Sequence, residues 1–167
     1  MTGPVVQDDL FTIITRFRFY KIALTGDVEK MYRQVGLREE DRDFHRILWR
    51  DTSSSPLKHL RLTRIIYGVS CSAHLATRTL IEIAKRTQKP HVAEALRHSF
   101  YVDDYLGGAN SLEEAQQLLA DLRQELLHYG FPLRKWSSSS QDLLKSIDKD
   151  LRAENDELKV MISRSRP

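Results

Sequence analysis

The sequence predicts an α+β fold in which an antiparallel sheet is covered by helices on one face. Residues 22–25 and 100–102 are short runs of apolar, aromatic and β-branched residues, which are typical of buried strands. From Leu112 to Leu127, apolar residues recur at helical spacing, which predicts a helix packed on that sheet. Helices and strands in this mixed order favour a two-layer domain.

The composition is that of a single globular domain, with 167 residues, 41% hydrophobic and 29% charged. The lone cysteine, Cys71, excludes an internal disulfide framework and fits a reducing cytosol or nucleus. Because no apolar run reaches transmembrane length and no signal-peptide pattern opens the chain, we expect no membrane partner and no secretion. A net charge of +3 permits a nucleic-acid partner without requiring one.

The first part of the chain alternates between helical and extended patterns. Its predicted elements are a helix at 8–20, a strand at 22–25, a short helix at 29–34 and a hairpin formed by 43–50 and 57–66. Asp8 or Asp9 is the expected N-cap of the first helix. The other face of that helix carries Arg16, Arg18 and Lys21, and it is either a solvated surface or a template contact.

Three residues of the predicted hairpin need separate interpretations. Trp49 is expected to pack in the core or against the hairpin itself. His45 and His59 have no metal-ligand spacing to other residues, so we expect both at the surface.

The second part of the chain contains most of the predicted helices. Its expected elements are a helix opening at 67–73 and running to 84, a helix at 92–98, a strand at 100–102, a helix after Ser111 and a strand at 131–136. Ser111 and Glu114 form a capping box, and Gly130 ends the helix that they begin. Residues 141–160 predict a charged helical tail with a weak apolar face formed by Leu143, Leu144, Ile147, Leu151 and Leu158.

Two adjacent carboxylates, Asp103 and Asp104, lie in the strand-turn-strand stretch of residues 100–108. An ordinary acidic turn is one explanation of the pair. A third aspartate, Asp27, follows the strand at 22–25, and it favours a second explanation. Like charges repel, and a hard divalent cation such as Mg²⁺, which binds carboxylate oxygens, would remove that repulsion.

These stretches together resemble the palm of a reverse transcriptase, and in particular the polymerase of BEL/Pao-type LTR retrotransposons. The similarity runs from about residue 3 to about residue 140, in the order and spacing of the family. It rests on these boxes: Gln7-Asp8-Asp9-Leu10-Phe11, residues 23–35 around Asp27, Leu48-Trp49-Arg50, Tyr101-Val102-Asp103-Asp104 and Gly130-Phe131-Pro132-Leu133-Arg134-Lys135-Trp136. The resemblance implies a palm with partial fingers at 1–140, and residues 141–167 as a charged tail that starts the connection toward the thumb.

The resemblance also implies a two-metal site for nucleotidyl transfer. Asp27 and Asp103 would bridge two Mg²⁺ ions, or Mn²⁺, with the Val28 carbonyl as a further ligand and Asp104 completing the negative field. Lys135 would protonate the leaving pyrophosphate, although an ordinary surface lysine is the alternative.

Further positions correspond to the binding of nucleotide and nucleic acid in the family. Lys30 and Met31 would offer backbone N–H groups to the triphosphate of a dNTP. Tyr32 would exclude a 2′-hydroxyl, unless it is a core aromatic. The remaining assignments are Tyr67 and Gly68 beside the incoming nucleotide, and Tyr101, Val102 and Ser72 on the primer and template.

The chain departs from the family at two places. Ala73-His74 stands where a proline and an apolar residue are usual, and Gly26 stands where Ala is usual.

The expected function is RNA-directed DNA polymerisation on a primed RNA or DNA template in retrotransposon replication, in the cytoplasm within a virus-like particle or in the nucleus. The alternative is a catalytically silent remnant, or a domesticated nucleic-acid-binding module, that keeps the palm fold. The resemblance implies that the fingers lysine and arginine that bind the triphosphate would precede Met1. The thumb and RNase H would follow Pro167.

Overall fold

The computed structural model describes residues 3–154 as helices packed with a four-stranded antiparallel sheet. In chain order its helices and strands are α1 (Leu10–Phe17), β1 (Ile22–Val28), α2 (Met31–Gln34), β2 (Arg46–Trp49), β3 (Lys58–Arg61), α3 (Ser72–Arg86), α4 (Pro90–His98), β4 (Phe100–Tyr101), β5 (Asp104–Ala109), α5 (Leu112–His128), β6 (Leu133–Ser138) and α6 (Gln141–Lys145). Short 3₁₀ helices span Glu39–Phe44 and Lys149–Leu151. The predicted α+β class is confirmed.

Strand β1 occupies a central place in the sheet, whose order is β4-β5-β1-β6. It pairs antiparallel with β5 from Ile22 opposite Ala109 to Asp27 opposite Asp104. Its other neighbour is β6, which is also antiparallel. The register with β5 fixes which residues of the two strands lie opposite each other, and a slip of one residue would turn every side chain to the other face of the sheet.

One hydrophobic core joins the helices to the sheet. Burial of apolar surface is the main force that holds such a core together. Its largest fully buried side chains include Leu24 of β1, Leu80 of α3, Leu96 of α4, Tyr105 of β5, Leu122 and Leu126 of α5, and Trp136 of β6. None of the helices in residues 3–154 combines the length and apolar character needed to cross a membrane.

The helix ends follow the predicted capping chemistry. Asp9 caps α1 by accepting a hydrogen bond from the Thr12 N–H at 3.0 Å. Ser111 accepts from the Glu114 N–H at 3.2 Å, while Glu114 accepts from the Asn110 N–H, so α5 begins with a capping box shifted by one residue. Beyond its C-terminus, Gly130 has a φ of +80°, which side chains disfavour. Capping therefore sets the limits of α5.

The hairpin of β2 and β3 forms a separate two-stranded sheet, as predicted, and all eight of its residues are exposed. Trp49 is 52% exposed, so it does not pack in the core, the first of the two expected positions. Its indole N–H donates to Asp51 of the hairpin loop at 3.1 Å, which agrees with the second. His45 was expected at the surface but is buried, because it lies where the chain enters the hairpin from the body of the domain. His59 is exposed, as expected.

Residues 141–154 pack onto the domain instead of forming the start of one long helix. Helix α6 ends at Lys145, and Leu143, Leu144 and Ile147 are buried in the core. Further on, the Ala153 N–H donates to the Trp136 carbonyl of β6 at 3.0 Å. The predicted apolar face is therefore real but belongs to the core, and the division at residue 140 stays a prediction. Leu158 lies outside the described residues.

Candidate active site

The three aspartates lie at the end of the β1–β5 pair. Asp27 of β1 is directly opposite Asp104, the first residue of β5. Asp103 occupies the turn just before it, and its carbonyl accepts a hydrogen bond from the Val28 N–H at 2.9 Å. The prediction that the two aspartate-bearing strands are neighbours in one sheet is confirmed.

The turn between β4 and β5 contains only two residues, Val102 and Asp103, since Tyr101 pairs with Asp104. Val102 has a φ of +55°, a left-handed conformation that is uncommon for a β-branched residue. Strain of this kind costs on the order of 1–3 kcal/mol and persists only where surrounding contacts enforce it. The turn is therefore held in a conformation that its own sequence does not favour.

The charges at this edge of the sheet are unbalanced. Partial desolvation of this exposed side chain, and then repulsion from Asp103 and Asp27, raise the pKa of the Asp104 carboxyl above its usual value. Lys135 acts in the opposite direction, and its Nζ atom lies 3.5 Å from an Asp27 carboxylate oxygen. That lysine side chain is 70% exposed, so solvent weakens its attraction. Among the salt bridges of residues 3–154, the one between Lys135 and Asp27 is the only one that involves these three carboxylates.

The donor set suits a hard divalent cation, because every candidate ligand is an oxygen and the carboxylates repel one another. In residues 3–154, however, no three or more His, Cys, Asp or Glu side chains form a group that could hold a metal ion. Mg²⁺ is commonly bound by one or two carboxylates together with substrate phosphates, and this open arrangement fits that mode. The bridging distance expected between Asp27 and Asp103 stays a prediction.

A cleft of about 990 Å³ opens beside the aspartates. Of the residues assigned to the site from sequence, it is lined by Asp27, Val28, Lys30, Tyr67, Asp103 and Lys135. The cleft also has lining residues without a predicted role, which are Thr25, Glu29, Arg134, Ser137, Asp150, Arg152, Ala153 and Glu154. A cavity of this size can hold a nucleotide-sized molecule.

The sequence profile of one protein family, described as "Reverse transcriptase (RNA-dependent DNA polymerase)", matches residues 6–136, which is well over half of the chain. The chain belongs to the reverse transcriptase family. Its match includes the three aspartates, the turn that carries Asp103 and strand β6 as far as Trp136.

A solved reverse transcriptase structure shows a similar fold. It is described as the foamy viral protease-reverse transcriptase in complex with an RNA/DNA hybrid, and it aligns with a TM-score of 0.62 at 18% sequence identity. The alignment covers 80% of this chain and 16% of the foamy viral chain, so the present sequence spans a small part of that protein's length. No curated protein matches the chain.

In this reverse transcriptase domain, Tyr32 lies between the core and the aspartates. Its side chain is 9% exposed, and its ring centroid is 4.4 Å from that of Tyr67. Burial, then the negative charge of Asp103 and the Tyr67 ring, raises the pKa of the Tyr32 hydroxyl. The ring is thus part of the core and also close to the carboxylates, and its exclusion of a 2′-hydroxyl stays a prediction.

Lys135 sits in a β-bulge, where Lys135 and Trp136 of β6 together face Gly26 of β1. Its φ of +53° is left-handed, and this conformation aims the side chain at Asp27. A Cβ atom on Gly26 would lie 3.0 Å from the Trp136 ring. The departure from the usual Ala therefore allows Trp136 to pack closely on the strand that carries Asp27.

The remaining predicted site residues differ in exposure. Met31 and Ser72 are buried, so the Ser72 hydroxyl has no access to a template in this structure, whereas the backbone role of Met31 stays a prediction. Tyr101 and Gly68 are exposed. Lys30 has a φ of +53° and is exposed immediately before α2.

An ion pair that the sequence did not reveal joins two walls of the cleft. The Arg134 Nε atom lies 2.5 Å from a Glu29 carboxylate oxygen, and Glu29 also pairs with Lys30 at 3.3 Å. Glu29 and Arg134 both lie within boxes quoted for the family, but no spacing rule connects residues more than a hundred positions apart.

Proposed function

We propose that the chain is the palm and partial fingers of an RNA-directed DNA polymerase from a BEL/Pao-type LTR retrotransposon. The observation that carries this proposal is the pairing of Asp27 with Asp104, with Asp103 in the adjoining turn. The family match and the predicted boxes support it. Acidic side chains gathered at one sheet edge without matching cations are expected where a metal-dependent reaction takes place.

Asp27, Asp103 and Asp104, with the Val28 carbonyl, would hold two Mg²⁺ ions. Bound metal would supply charge neutralisation for the primer hydroxyl and the pyrophosphate. The chain's own residues position the reactants: Lys30 and Met31 offer backbone N–H groups to the dNTP triphosphate. The exposed Lys135 ammonium, at the rim of the cleft, donates a proton to the leaving pyrophosphate.

In the same proposal, residues 1–140 form the palm with partial fingers, while residues 141–167 lead toward the thumb. The complete fingers, thumb and RNase H belong to other parts of a polyprotein that acts on primed RNA or DNA. Replication takes place in the cytoplasm, within a virus-like particle, or in the nucleus. Tyr101 and Val102 are assigned to the primer and template, and Tyr67 and Gly68 to the nucleotide, by resemblance.

The test measures Mg²⁺-dependent binding of a fluorescent dNTP to the 167-residue chain in the presence of primed template. Binding should weaken about tenfold in Asp103→Asn, because one metal ligand is lost. The exposed Asp142→Asn variant serves as a matched control and should bind as the parent does. Primer extension by the parent should be weak, since phosphoryl transfer depends mainly on positioning by parts outside this chain.

Identical Mg²⁺-dependent dNTP binding by the parent and Asp103→Asn would contradict the polymerase proposal. That result would favour the alternative of a catalytically silent module, because the metal-dependent binding would not use Asp103. Extension that survives in Asp103→Asn would show that Asp103 is not needed for the reaction.

Tyr32 provides a second test of the same site. The Tyr32→Val variant should lose about tenfold of its preference for dNTP over the matching ribonucleotide, because the ring that excludes a 2′-hydroxyl is removed. Tyr32→Phe keeps the ring and should keep the preference. Equal selectivity in all three proteins would assign Tyr32 to packing alone.

A further inference from the structure

The N-terminal strap, which we define as residues 3–8, crosses from helix α3 to the turn that carries Asp103. It has no helix or strand of its own, yet specific hydrogen bonds hold it at both ends. The strap, α3 and Val102 surround a common cavity of about 230 Å³. None of the roles assigned above uses this segment.

At its first end, the strap is fastened by His74 of α3. The His74 Nδ1 atom lies 2.8 Å from the Pro4 carbonyl oxygen, and because a carbonyl only accepts, the imidazole donates. The neighbouring Gly3 packs flat against the same ring, since a Cβ atom there would lie 2.2 Å from the His74 Cγ atom. The unusual histidine of this sequence is thus the anchor of the strap.

The second end is fastened by Asp8, whose carboxylate joins α1 to α4. One oxygen lies 3.0 Å from the Arg16 guanidinium and 3.0 Å from the His98 Nδ1 atom. Burial would raise the pKa of Asp8, but hydrogen bonds and attraction from His98 and Arg16 outweigh it and lower the pKa. Asp8 is therefore charged and bound on both sides.

Between the two anchors, the side chain of Gln7 reaches the strained turn. Its Oε1 atom accepts a hydrogen bond from the Val102 N–H at 3.1 Å. The next residue, Asp103, is held from the other side by the Val28 N–H at 2.9 Å. Both residues of the turn are thus fastened to other elements, which is what a left-handed valine needs in order to persist.

We propose that Gln7 is a positioning residue for the Asp103 turn, and that His74 and Asp8 hold the strap that presents it. The inference rests on the proposed function, because it gives the turn a metal-binding aspartate to position. Gln7 acts through the Val102 backbone and is not among the residues that line the cleft beside the aspartates. Without it, the Val102 N–H must bond to water, and other turn conformations become accessible.

The experiment compares the 167-residue chain with Gln7→Ala, Gln7→Glu and His74→Ala by amide hydrogen exchange. Exchange of the Val102 amide should become about tenfold faster in Gln7→Ala and faster in His74→Ala. Gln7→Glu retains an acceptor oxygen at the same reach and should restore protection. The exposed Gln88→Ala variant is the matched control and should leave the Val102 amide as it is in the parent.

A second readout separates positioning from a general structural role. Mn²⁺ affinity, followed by electron paramagnetic resonance, should fall roughly tenfold in Gln7→Ala and recover in Gln7→Glu. The thermal midpoint of Gln7→Ala should stay close to that of the parent. Unchanged Val102 exchange in Gln7→Ala, or equal loss of protection across the whole sheet, would overturn the proposal.

The two proposals can fail separately. If the parent chain binds no Mn²⁺, the polymerase site is contradicted, and the Val102 exchange rate alone decides the role of Gln7. If the parent binds Mn²⁺ and Gln7→Ala binds it equally well with normal Val102 exchange, the role of Gln7 is wrong and the metal site remains.

Discussion

Two acidic sites in this molecule have opposite surroundings. Asp121 on α5 is enclosed by donors: Lys89 Nζ at 2.6 Å, His91 Nε2 at 2.7 Å and Gln117 Nε2 at 2.7 Å. Burial would raise the pKa of Asp121, but the hydrogen bonds outweigh it and lower the pKa to about 2. Asp104, by contrast, faces Asp103 and Asp27, and its pKa is raised.

The difference distinguishes an ionic site whose carboxylate is fully paired within the protein, here called finished, from one whose carboxylates are not, here called unfinished. Asp121 finds every partner within the chain, so its charge ties α4 to α5 and stabilises the fold. The three aspartates at the sheet edge repel one another, and within residues 3–154 their one salt bridge is to the exposed Lys135. A site in the second condition gains free energy when an external cation binds, which is the property that a metal-dependent enzyme needs.

The largest expected effect separates the two sites by stability. Asp121→Asn should lower the free energy of unfolding at neutral pH by about 2 kcal/mol, the value of a carboxylate pKa moved from 3.8 to about 2. Urea unfolding measures the change. The exposed Asp142, paired only with Lys145, should tolerate the same substitution with little effect. Equal effects at both positions would show that the Asp121 network is not a special case.

The stability of the protein at acid pH should also show the contribution of Asp121. A carboxyl group whose pKa is lower in the folded state than in the unfolded state contributes stability above its unfolded-state pKa. That contribution is lost as the pH falls through the folded-state pKa. The parent should therefore lose the Asp121 contribution between about pH 4 and about pH 2, whereas Asp121→Asn should lack that component. Unfolding curves measured across this range decide the matter, and parallel slopes for the two proteins would contradict it.

Divalent metal should act on the unfinished site alone. At a Mg²⁺ or Mn²⁺ concentration ten times Kd, the parent should gain about 1.4 kcal/mol of stability by mass action. Asp121→Asn should gain the same amount from its lower starting point, and Asp103→Asn should gain little. Thermal unfolding with and without metal tests this. A metal response that survives in Asp103→Asn would place the binding site elsewhere.

The smallest expected effect is that of Asp104→Asn, which should raise stability where Asp121→Asn lowers it. Asp104→Asn removes one of three repelling charges, so metal-free stability at neutral pH should rise, by less than about 1 kcal/mol because the side chain is exposed. Because the pKa of the Asp104 carboxyl is raised in the folded state, its charge destabilises the fold only as the pH increases. The stability gained in Asp104→Asn should therefore vanish in acid. Destabilisation by Asp104→Asn at neutral pH would contradict the picture of an unfinished site.

Local patterns in the sequence were enough to predict the strands of the aspartates and the capping of α1 and α5. The Asp27 strand was placed at 22–25 and extends to Val28, since pairing with β5 and β6 continues through the aspartate. Burial of His45 and exposure of Trp49 escaped prediction because they depend on where the hairpin stands relative to the core. Local patterns specify elements, while the surroundings of a side chain depend on tertiary packing.

In the candidate site, too, local patterns predicted some residues, whereas tertiary packing determined others. Asp27 and Asp103 could be named from strand ends and family boxes, and the sheet brings their strands together. The contacts of Asp121 with Lys89 and His91 join residues about thirty positions apart, so no local spacing indicates them. Their one sequence signal is an aspartate beside Leu122 in an apolar stripe, where a carboxylate is costly unless it is paired.

The short chain segment after α6 has a practical consequence for anyone who trims this domain. Ala153 bonds to the Trp136 carbonyl and covers the outer edge of β6, while Leu143 and Leu144 fill the core beneath it. Cutting the chain at residue 140 would expose the apolar core surface that Leu143 and Leu144 cover, and it would leave the edge of β6 unpaired. Both changes favour aggregation during expression. A soluble product should therefore retain at least residue 154, although the recognisable family boxes end near Trp136.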